Sequence, residues 1–419
     1  MRSPKWFQIG FKFKRWLISG VVGVLLLIAA LFILIKDTDI PHTIWLSSLI
    51  LGIVGVYAII LCLRNIFLKF VSVYSNGKMG KPSNVTEVSS IIYKRKILAS
   101  EPMVVVIGGG TGTSTILRGL KAYTSNIAAI VTVADDGGGS GALRNDLGIL
   151  PPGDIRNCMI ALADTEPVLE RLLKYRFTEG SLKGQCFGNL FLAAMHGISD
   201  GFEDAVHNMG NVLAITGKVY PVTEDNVFLV AELEDGTQIR GESRIGSHNF
   251  THPGRIKRVM LDKDKALPVK KAIETIEKAD VIVLGPGSLY TSIIPNLLVD
   301  GVSKAIAKSR AKKIYVSNIM TQPGETDGYS VSDHIKAIHY HTGEPVIDIC
   351  IVNSGKIPFY VQKKYEKDDA QMVSIDYDNI KKLGIKIIEK NLVSVNNNNL
   401  VRHDSNVLAH TILDVTKNQ

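Results

Sequence analysis

Two long stretches of this chain lack any charged residue. Residues 16–35 and 44–63 each run for 20 residues without Asp, Glu, Lys or Arg, which is the length that the hydrocarbon core of a bilayer requires. These runs exclude ordinary amphipathic surface helices and predict two transmembrane helices, with the buried hairpin of a soluble domain as the alternative. No small-residue cleavage site is evident and a second run follows, so a cleaved signal peptide is disfavoured.

The loop between the two runs lacks net positive charge, whereas both outer flanks are basic. Five Lys and Arg residues precede the first run, and Arg64 and Lys69 follow the second. Because positive flanks stay in the cytoplasm, we expect both chain termini on the cytoplasmic side of the cell membrane. The chain then divides into a membrane anchor at 1–70, a linker at 71–100 and a cytoplasmic domain at 101–419.

The chain beyond the linker lacks a basic excess. Residues 1–100 hold 13 Lys and Arg against 3 Asp and Glu, so residues 101–419 hold 35 against 37. Nucleic-acid-binding domains depend on clustered positive charge, and this balance argues against nucleic acid as a partner. The excess at the front is better assigned to membrane topology and anionic headgroups.

The four cysteines lack metal-binding spacing. Cys62 lies in the second apolar run, and the other three form no CxxC or Cys/His pattern. Free thiols in a reducing cytosol fit best, and neither a zinc site nor a disulfide framework is indicated. His339 and His341, two apart on an expected helix, have the wrong spacing for shared metal ligation, so we expect them at the surface.

What the chain does have is a βαβ unit built around glycine. Residues 103–107 predict a strand, GGGTG at 108–112 a turn, and 114–123 a helix. A second strand is predicted over 127–133, and Asp135 and Asp136 follow it. Backbone N–H groups without neighbouring side chains, together with the start of a helix, favour a phosphate or diphosphate ligand. A purely structural turn is the alternative.

The same turn lacks the third glycine of the dinucleotide fingerprint GxGxxG. When the motif is laid on Gly108 and Gly110, it requires glycine at 113, where this chain has Thr113. An ordinary NAD site is therefore disfavoured.

A second glycine loop, GPGSLYTS at 285–292, follows a buried-strand pattern at 280–284. Ligands of doubly wound sheets bind beyond the carboxyl ends of strands, so the two loops could face one crevice. Alternating residues at 227–240 around Asp235-Gly236 predict a β-hairpin insertion. The expected fold is α/β, with a doubly wound, mostly parallel sheet that carries this insertion and follows the two-helix transmembrane hairpin.

The loop GILPPGDIRN at 148–157 leaves two interpretations open for Asp154. This residue could cap the helix that runs through 155–162, or it could contact a ligand. The sequence pattern does not separate the two roles.

Seven motifs occur in a fixed order along the chain. They are GGGTG at 108–112, VADDGGGSG at 133–141, PPGDIRN at 151–157, FGN at 187–189, GPGSLYTSI at 285–293, NIMTQPGETDG at 318–328 and LVRHD at 400–404. With them the chain, over about residues 101–419, resembles the gluconeogenesis factors of the YvcK type, which are related to the 2-phospho-L-lactate transferase CofD. The two-span N-terminus is an addition that only some relatives carry.

The resemblance implies a Rossmann-like fold and a nucleotide-diphosphate ligand near the glycine loops. Asp135 and Asp136 match a paired acid that would face a magnesium ion or a ligand hydroxyl, and would be catalytic if the protein is a transferase. The expected ligand-binding residues are Gly109, Gly110, Thr111, Gly112, Asp154, Asn157, Asn189, Gly285, Gly287, Ser288, Tyr365 and Arg402.

Three residues near the carboxyl terminus keep a structural alternative. Tyr365 and Arg402 resemble positions that contact a nucleotide sugar, and an arginine fork suits a diphosphate. Tyr365 could instead be merely exposed, Arg402 could pair with Asp404, and Ser405 could be only a helix cap.

Three functions are compatible with the sequence. The first, which we favour, is a membrane-anchored regulator that binds a UDP-sugar and controls growth on gluconeogenic carbon, cell shape and envelope synthesis. The second is a transferase that moves a phospholactyl-type group from a guanosine diphosphate donor to a deazaflavin acceptor with Mg²⁺. The third is an NAD-dependent oxidoreductase. We also expect a homo-oligomer, without any indication of its protein partners.

Overall fold

The structure is a computed structural model that describes residues 13–36, 42–74, 98–164, 166–247 and 254–417. By internal contacts the chain forms two compact units, one before Ile97 and one from Ile97 onward. Most of the predicted linker, and the basic residues that precede the first apolar run, lie outside the described residues.

The first unit is a pair of helices, α1 (Phe13–Lys36) and α2 (His42–Tyr74). They touch at Gly23 and Gly55, where a Cβ on either glycine would lie 2.8 Å from the carbonyl oxygen of the other. Ser48 Oγ also donates to the Ala30 carbonyl at 3.0 Å. Small residues let helix backbones approach closely in this way.

Both helices are long and apolar enough to cross a membrane. Their apolar windows, Ile18–Ile35 and Thr43–Phe67, are only 11% and 17% buried, so most of their large apolar side chains face outward. A hairpin in the core of a soluble domain would bury them instead.

The second unit is an α/β domain, and its strands and helices alternate as the sequence predicts. Its strands are β1 (Val104–Gly108), β2 (Ile127–Val131), β3 (Lys218–Pro221), β4 (Leu229–Leu233), β5 (Gln238–Arg240), β6 (Ile256–Leu261), β7 (Val281–Leu284), β8 (Lys312–Val316), β9 (Ile349–Asn353), β10 (Lys386–Lys390), β11 (Val393–Val395) and β12 (Val401–His403). Its helices are α3 (Gly110–Leu120), α4 (Gly138–Leu147), α5 (Gly153–Leu162), α6 (Pro167–Lys174), α7 (Phe187–Gly197), α8 (Phe202–Leu213), α9 (Glu242–Ile245), α10 (Lys270–Lys278), α11 (Ile294–Leu297), α12 (Val302–Lys308), α13 (Val331–Thr342), α14 (Phe359–Glu366), α15 (Tyr377–Lys382) and α16 (Ser405–Lys417).

Seven parallel strands form the central sheet in the order β10-β9-β8-β7-β1-β2-β3. The central strands β1, β2 and β7 are buried along their whole length, which explains their unbroken apolar sequences. The predicted doubly wound, Rossmann-like α/β fold is confirmed. All seven strands end at one edge, here called the carboxyl edge, and begin at the opposite amino edge.

The predicted hairpin is present as β4 and β5, which pair antiparallel. A third strand that the sequence pattern did not reveal, β6, pairs with the other side of β4. His341 on α13 holds this insertion, because its Nε2 accepts from the Val259 N–H at 2.9 Å. The expectation of a surface role for His341 is therefore wrong, and His339 is also only half-exposed.

The carboxyl-terminal segment adds a second feature that the pattern missed. β11 and β12 form an antiparallel hairpin, and the polar tract at 396–399 makes its turn, where the Asn396 N–H donates to the Leu400 carbonyl at 3.1 Å. Helix α16 then packs on α3 so closely that a Cβ on Gly119 would overlap the Ser405 carbonyl. The four cysteines are free, as predicted, and all four are buried.

Candidate functional site

The two glycine loops meet at the carboxyl edge and enclose a cavity of about 260 Å³. Gly112, in the first turn of α3, lies against Pro286 of the second loop, and a Cβ on Gly112 would overlap the Pro286 carbonyl oxygen. Only glycine allows this approach. The cavity is lined by Gly109, Gly110, Thr111, Gly112, Thr132, Asp135, Asp154, Glu242, Gly287, Ser288, Thr291 and Ser292.

The first loop presents bare backbone at the start of α3. Gly110 has φ of +67°, a conformation that glycine adopts without strain. Thr113, at the position where the dinucleotide fingerprint has glycine, is buried, and its Oγ1 donates to the Gly109 carbonyl at 3.0 Å. The threonine thereby stabilises the loop from inside the helix, while the N–H groups of the first turn are left for a ligand.

Hydroxyl and amide side chains hold the second loop. Ser288 Oγ donates to Gln322 Oε1 at 2.7 Å. Residues Leu289–Ile293 form one wide π-helical turn, a geometry that is frequent at functional sites. Buried Asn296 then ties the two loops together, because its Nδ2 donates to the Gly108 carbonyl at 3.1 Å and to the Ser292 carbonyl at 2.8 Å.

One wall of the cavity is acidic. Burial, and then the negative charge of Asp135, raises the pKa of Asp154 to about 6, although the Gly110 N–H donates to this carboxylate. Burial raises the pKa of Glu242 to about 8, and the charges of Asp135 and Asp154 add to that rise. Among the described residues that line the cavity, none is lysine or arginine. An anionic ligand must therefore be held by backbone N–H groups or by a cation bound with it.

Asp154 is not a helix cap. Helix α5 begins at Gly153 with Pro152 as its cap position, and no side chain caps it. Asp154 lies within the first turn, close enough to the first loop that a Cβ on Gly109 would be 2.6 Å from Asp154 Oδ2. The structure thus places this carboxylate at the cavity, and the capping interpretation is wrong.

The paired aspartates differ in their surroundings. Asp135 lines the cavity, whereas Asp136 Oδ1 accepts from Ser243 N at 2.9 Å and from Ser243 Oγ at 2.8 Å. Asp136 therefore holds α9, which carries Glu242 into the cavity wall. Among the described residues no cluster of three or more His, Cys, Asp or Glu is placed to hold a metal ion, so any cation here would depend on the ligand for further oxygen atoms.

Asn157 and Asn189 are brought together by a residue that was not predicted as part of the site. Arg156 Nη1 donates to Asn189 Oδ1 at 2.6 Å, and Nη2 donates to Asn157 Oδ1 at 2.8 Å. Asn189 Nδ2 also donates to Ser140 Oγ at 3.5 Å. A Cβ on Gly153 would lie 2.5 Å from the same oxygen and 2.9 Å from Asp135 Oδ2, so the cluster adjoins the acidic wall. Arg156 is buried. Its position in the PPGDIRN motif is the sequence feature that could have identified it as part of the site.

Tyr365 and Arg402 do not line the cavity. Tyr365 is half-buried, and its hydroxyl accepts from the Val401 N–H at 2.9 Å, while Arg402 Nη1 donates to the Val401 carbonyl at 3.0 Å. The adjacent His403 Nε2 lies 3.1 Å from the carbonyl of Ser317, the residue after β8. The segment is therefore at the carboxyl edge, on the same side of the sheet as the cavity.

Arg402 forms no ion pair with Asp404 in the described part of the chain. Asp404 Oδ1 instead accepts from the N–H groups of Asn406 at 2.9 Å and Val407 at 3.0 Å. Asp404 is thus the residue that caps α16, and Ser405 is the first helical residue. The capping interpretation of Ser405 is wrong, and the guanidinium of Arg402 is not engaged by the neighbouring acid.

Fold and cleft together define a doubly wound α/β protein with a polar cleft between two glycine loops. Residues 104–393 match the family model of the 2-phospho-L-lactate transferase CofD. The gluconeogenesis factor of Bacillus subtilis is 46% identical over 321 residues, which cover 76% of this chain and 100% of that protein. The chain belongs to this family of CofD-like proteins and gluconeogenesis factors.

Two further relatives bear on the domain organisation. A provisionally named gluconeogenesis factor of Clostridium acetobutylicum is 47% identical over 419 residues, which cover 99% of this chain and 93% of that protein. A solved structure of a UPF0052 family member from Bacillus halodurans is 46% identical, covers 75% of this chain and 100% of that chain, and has a TM-score of 0.72. The matched region is the whole length of both Bacillus proteins, and the solved structure shows that relative folded without further residues.

Proposed function

We propose that this protein binds a UDP-sugar in the cleft and, through it, regulates growth on gluconeogenic carbon sources, cell shape and envelope synthesis. The observation that carries the proposal is the contact between Gly112 and Pro286. It sets two bare backbone segments and the start of α3 on either side of one cavity, an arrangement that suits a diphosphate. The proposed role in growth on gluconeogenic carbon follows the names of relatives called gluconeogenesis factors, whereas the roles in cell shape and envelope synthesis follow only from the resemblance of the motifs to the YvcK type.

The ligand extends in this proposal from the cavity toward Arg402. A cavity of about 260 Å³ suits the diphosphate and part of a sugar. The uridine or the rest of the sugar then reaches the β12 segment, where Arg402 and Tyr365 stand. A guanidinium there supplies the positive charge that the cavity lining lacks.

We propose that Mg²⁺ binds in the cleft together with the ligand. The donor set fits, because Asp135 and Asp154 offer carboxylate oxygens, and Mg²⁺ in nucleotide sites commonly takes one or two carboxylates together with phosphate oxygens and water. The ion would offset the negative charge of the acidic wall. Asp136 remains a weaker candidate ligand, since one of its oxygens already binds Ser243.

Two enzymatic alternatives remain testable. The match to the transferase family model and the exposure of Asp135 to the cavity favour phospholactyl transfer as the second candidate. Consumption of a guanosine diphosphate donor in the presence of a deazaflavin acceptor and Mg²⁺ would support it. NAD-dependent oxidoreduction is weaker, because Thr113 fills the position of the third fingerprint glycine.

We further propose that α1 and α2 anchor the protein in the cell membrane with both chain termini in the cytoplasm. The outward-facing apolar side chains and the basic flanks of the two apolar runs support this topology. Reporter fusions at Gln419 test it, since activity of a reporter that works only outside the cytoplasm would contradict it. A homo-oligomer remains part of the proposal, and its protein partners are not assigned.

The identity of the ligand is tested by mass spectrometry of the gently purified protein. A uridine diphosphate sugar released on denaturation would support the proposal. A guanosine derivative would favour the transferase, and a nicotinamide dinucleotide would favour the oxidoreductase.

A further inference from the structure

A groove of about 620 Å³ lies away from the cleft, between α16 and strands β8, β9 and β10. We call it the cationic groove. Five of its lining side chains are basic, namely Arg310, Lys312, Lys313, Lys386 and Lys390, and two are acidic, Asp348 and Asp414. Apolar side chains from the sheet and α16, those of Ile349, Ile388 and Val415, also line it.

The two acidic side chains are already engaged. Asp348 Oδ2 accepts from the Lys313 N–H at 2.9 Å and lies 3.8 Å from Lys313 Nζ, and Asp414 Oδ2 lies 2.9 Å from His410 Nδ1. Within the described residues, Arg310, Lys312 and Lys386 have no ion-pair partner, and all three are exposed. The groove therefore presents uncompensated positive charge in a domain whose total charge is slightly negative.

Two of these unpaired cations lie at the amino edge of the central sheet. Lys312 begins β8 and Lys386 begins β10, so both lie at the amino edge, opposite the cleft. The chain enters the domain at the same edge, where the Leu98 carbonyl accepts from Ser125 N at 2.9 Å and the Ala99 carbonyl accepts from Asn126 Nδ2 at 2.8 Å. The first described residues of this domain therefore lie at the edge that bears the uncompensated cations.

An alternative role for a basic residue is to interact with the dipole at the carboxyl end of a helix. This role accounts for Lys308, at the end of α12. It does not account for Lys390, which lies at the end of strand β10, or for the apolar residues that lie among the cations. Basic side chains around an apolar patch match the headgroup region of a membrane, where phosphates are anionic and the adjoining chain segments are apolar.

We propose that the cationic groove is a docking surface for anionic phospholipids of the bilayer. The inference rests on the proposed membrane anchoring, which would tether this domain to a bilayer through the same chain and so raise its effective concentration at a lipid surface. Docking by this edge leaves the cleft, at the opposite edge, open to soluble ligands of the cytoplasm.

The test uses residues 97–419, since the Bacillus relatives show that this region is a complete protein. Flotation with phosphatidylcholine vesicles and with vesicles that also contain phosphatidylglycerol measures lipid binding without the apolar helices. We expect binding to the phosphatidylglycerol vesicles alone, weakened by added salt. Equal binding to both kinds of vesicle, or to neither, would overturn the proposal.

A matched pair of variants locates the surface. Arg310→Glu/Lys312→Glu/Lys386→Glu should weaken binding by about tenfold or more, because each cation near an anionic surface contributes measurably. The control Lys183→Glu/Lys265→Glu/Lys356→Glu changes the charge equally at exposed positions and should bind like the unaltered domain. Equal losses in both variants would show that only total charge matters and would refute a specific groove.

Further measurements control for unfolding of the variants, for binding of free phosphate and for the membrane anchor. Thermal unfolding of each variant confirms that it is folded before binding is compared. Inorganic phosphate that displaces the vesicles more strongly than chloride at equal ionic strength would make the groove a free-phosphate site and would contradict the lipid assignment. Carbonate extraction of the full chain tests the anchor separately, so a failure of anchoring and a failure of docking are distinguishable.

Discussion

Gly112 lies directly against the carbonyl group of Pro286, so close that a Cβ at position 112 would overlap the Pro286 oxygen. Asn296 also links the two loops, because its Nδ2 donates to the Gly108 carbonyl and to the Ser292 carbonyl. The two loops are thus in contact on one side of a cleft whose other wall is acidic.

The first prediction separates backbone strain from loss of the site. Gly110→Ala places a side chain on a residue with φ of +67°, and Gly343→Ala does so at φ of +63° at the end of α13, where no atom lies within 4 Å of the new Cβ. Each substitution should lower the free energy of unfolding by about 1 to 2 kcal/mol. Only Gly110→Ala should also weaken binding of the nucleotide sugar, measured by calorimetry. Equal affinities in the two variants would contradict the role of the first loop.

The second prediction concerns pH. The pKa values of Asp154 and Glu242 are raised in the folded domain to about 6 and about 8, whereas in the unfolded chain they return to about 4. At a pH between the unfolded and folded pKa values, the folded domain binds more protons than the unfolded chain. The free energy of unfolding should therefore fall as pH rises from about 5 to about 8. Urea unfolding without ligand or metal measures this slope.

Glu242→Gln should flatten the slope above pH of about 6, because the amide does not ionise. The control Glu277→Gln changes an exposed glutamate on α10 and should leave the slope unchanged. A profile that is flat in the unaltered domain, or equally steep in Glu242→Gln, would show that Glu242 keeps an ordinary pKa in solution.

The third prediction assigns different roles to the paired aspartates. Asp136→Ala removes the acceptor for Ser243 N and Oγ, and should release α9 and the insertion at a cost of about 1 to 3 kcal/mol. Hydrogen exchange over 229–245 reports that release. Asp135→Asn should leave the exchange pattern intact and abolish any Mg²⁺ dependence of ligand binding. The opposite pattern would make Asp136 the cation ligand.

The fourth prediction tests the β12 segment. Arg402→Ala should weaken ligand binding by about 1.5 to 3 kcal/mol, the usual contribution of a hydrogen bond to a charged group. Tyr365→Phe removes the acceptor for Val401 N and should lower stability by about 1 kcal/mol while weakening binding less. Arg171→Ala, at an exposed position on α6, is the control. Unchanged affinity in Arg402→Ala would remove this segment from the site.

Local sequence patterns predicted the sheet, because its central strands are buried on both faces and therefore read as unbroken apolar runs between glycine turns. They also predicted that the loops at 108–112 and 285–288 would face each other. The adjacent β1 and β7 end side by side, as the topology of a doubly wound sheet requires.

The acidic wall could not be predicted in the same way. Glu242 reaches the cavity because Asp136 binds Ser243 across 107 residues of sequence, and no local pattern encodes that distance. The two roles left open for Asp154 have a similar cause, since only the start of the helix at Gly153 decides between a helix cap and a cavity residue. His341 was misplaced because its partner strand, β6, went unrecognised.

The proposed ligand site is best tested by calorimetric titration of residues 97–419 with a UDP-sugar, the free sugar and NAD, each with and without Mg²⁺. We expect the UDP-sugar to bind most tightly and more strongly with Mg²⁺, and correctly folded Gly110→Val and Gly287→Val to lose this binding. A Cβ on Gly287 would meet Ser292 Cβ at 3.3 Å and the Gly109 carbonyl at 3.4 Å, so valine fills the cleft. Equal or tighter binding of NAD, or unchanged affinity in the two valine variants, would contradict the account.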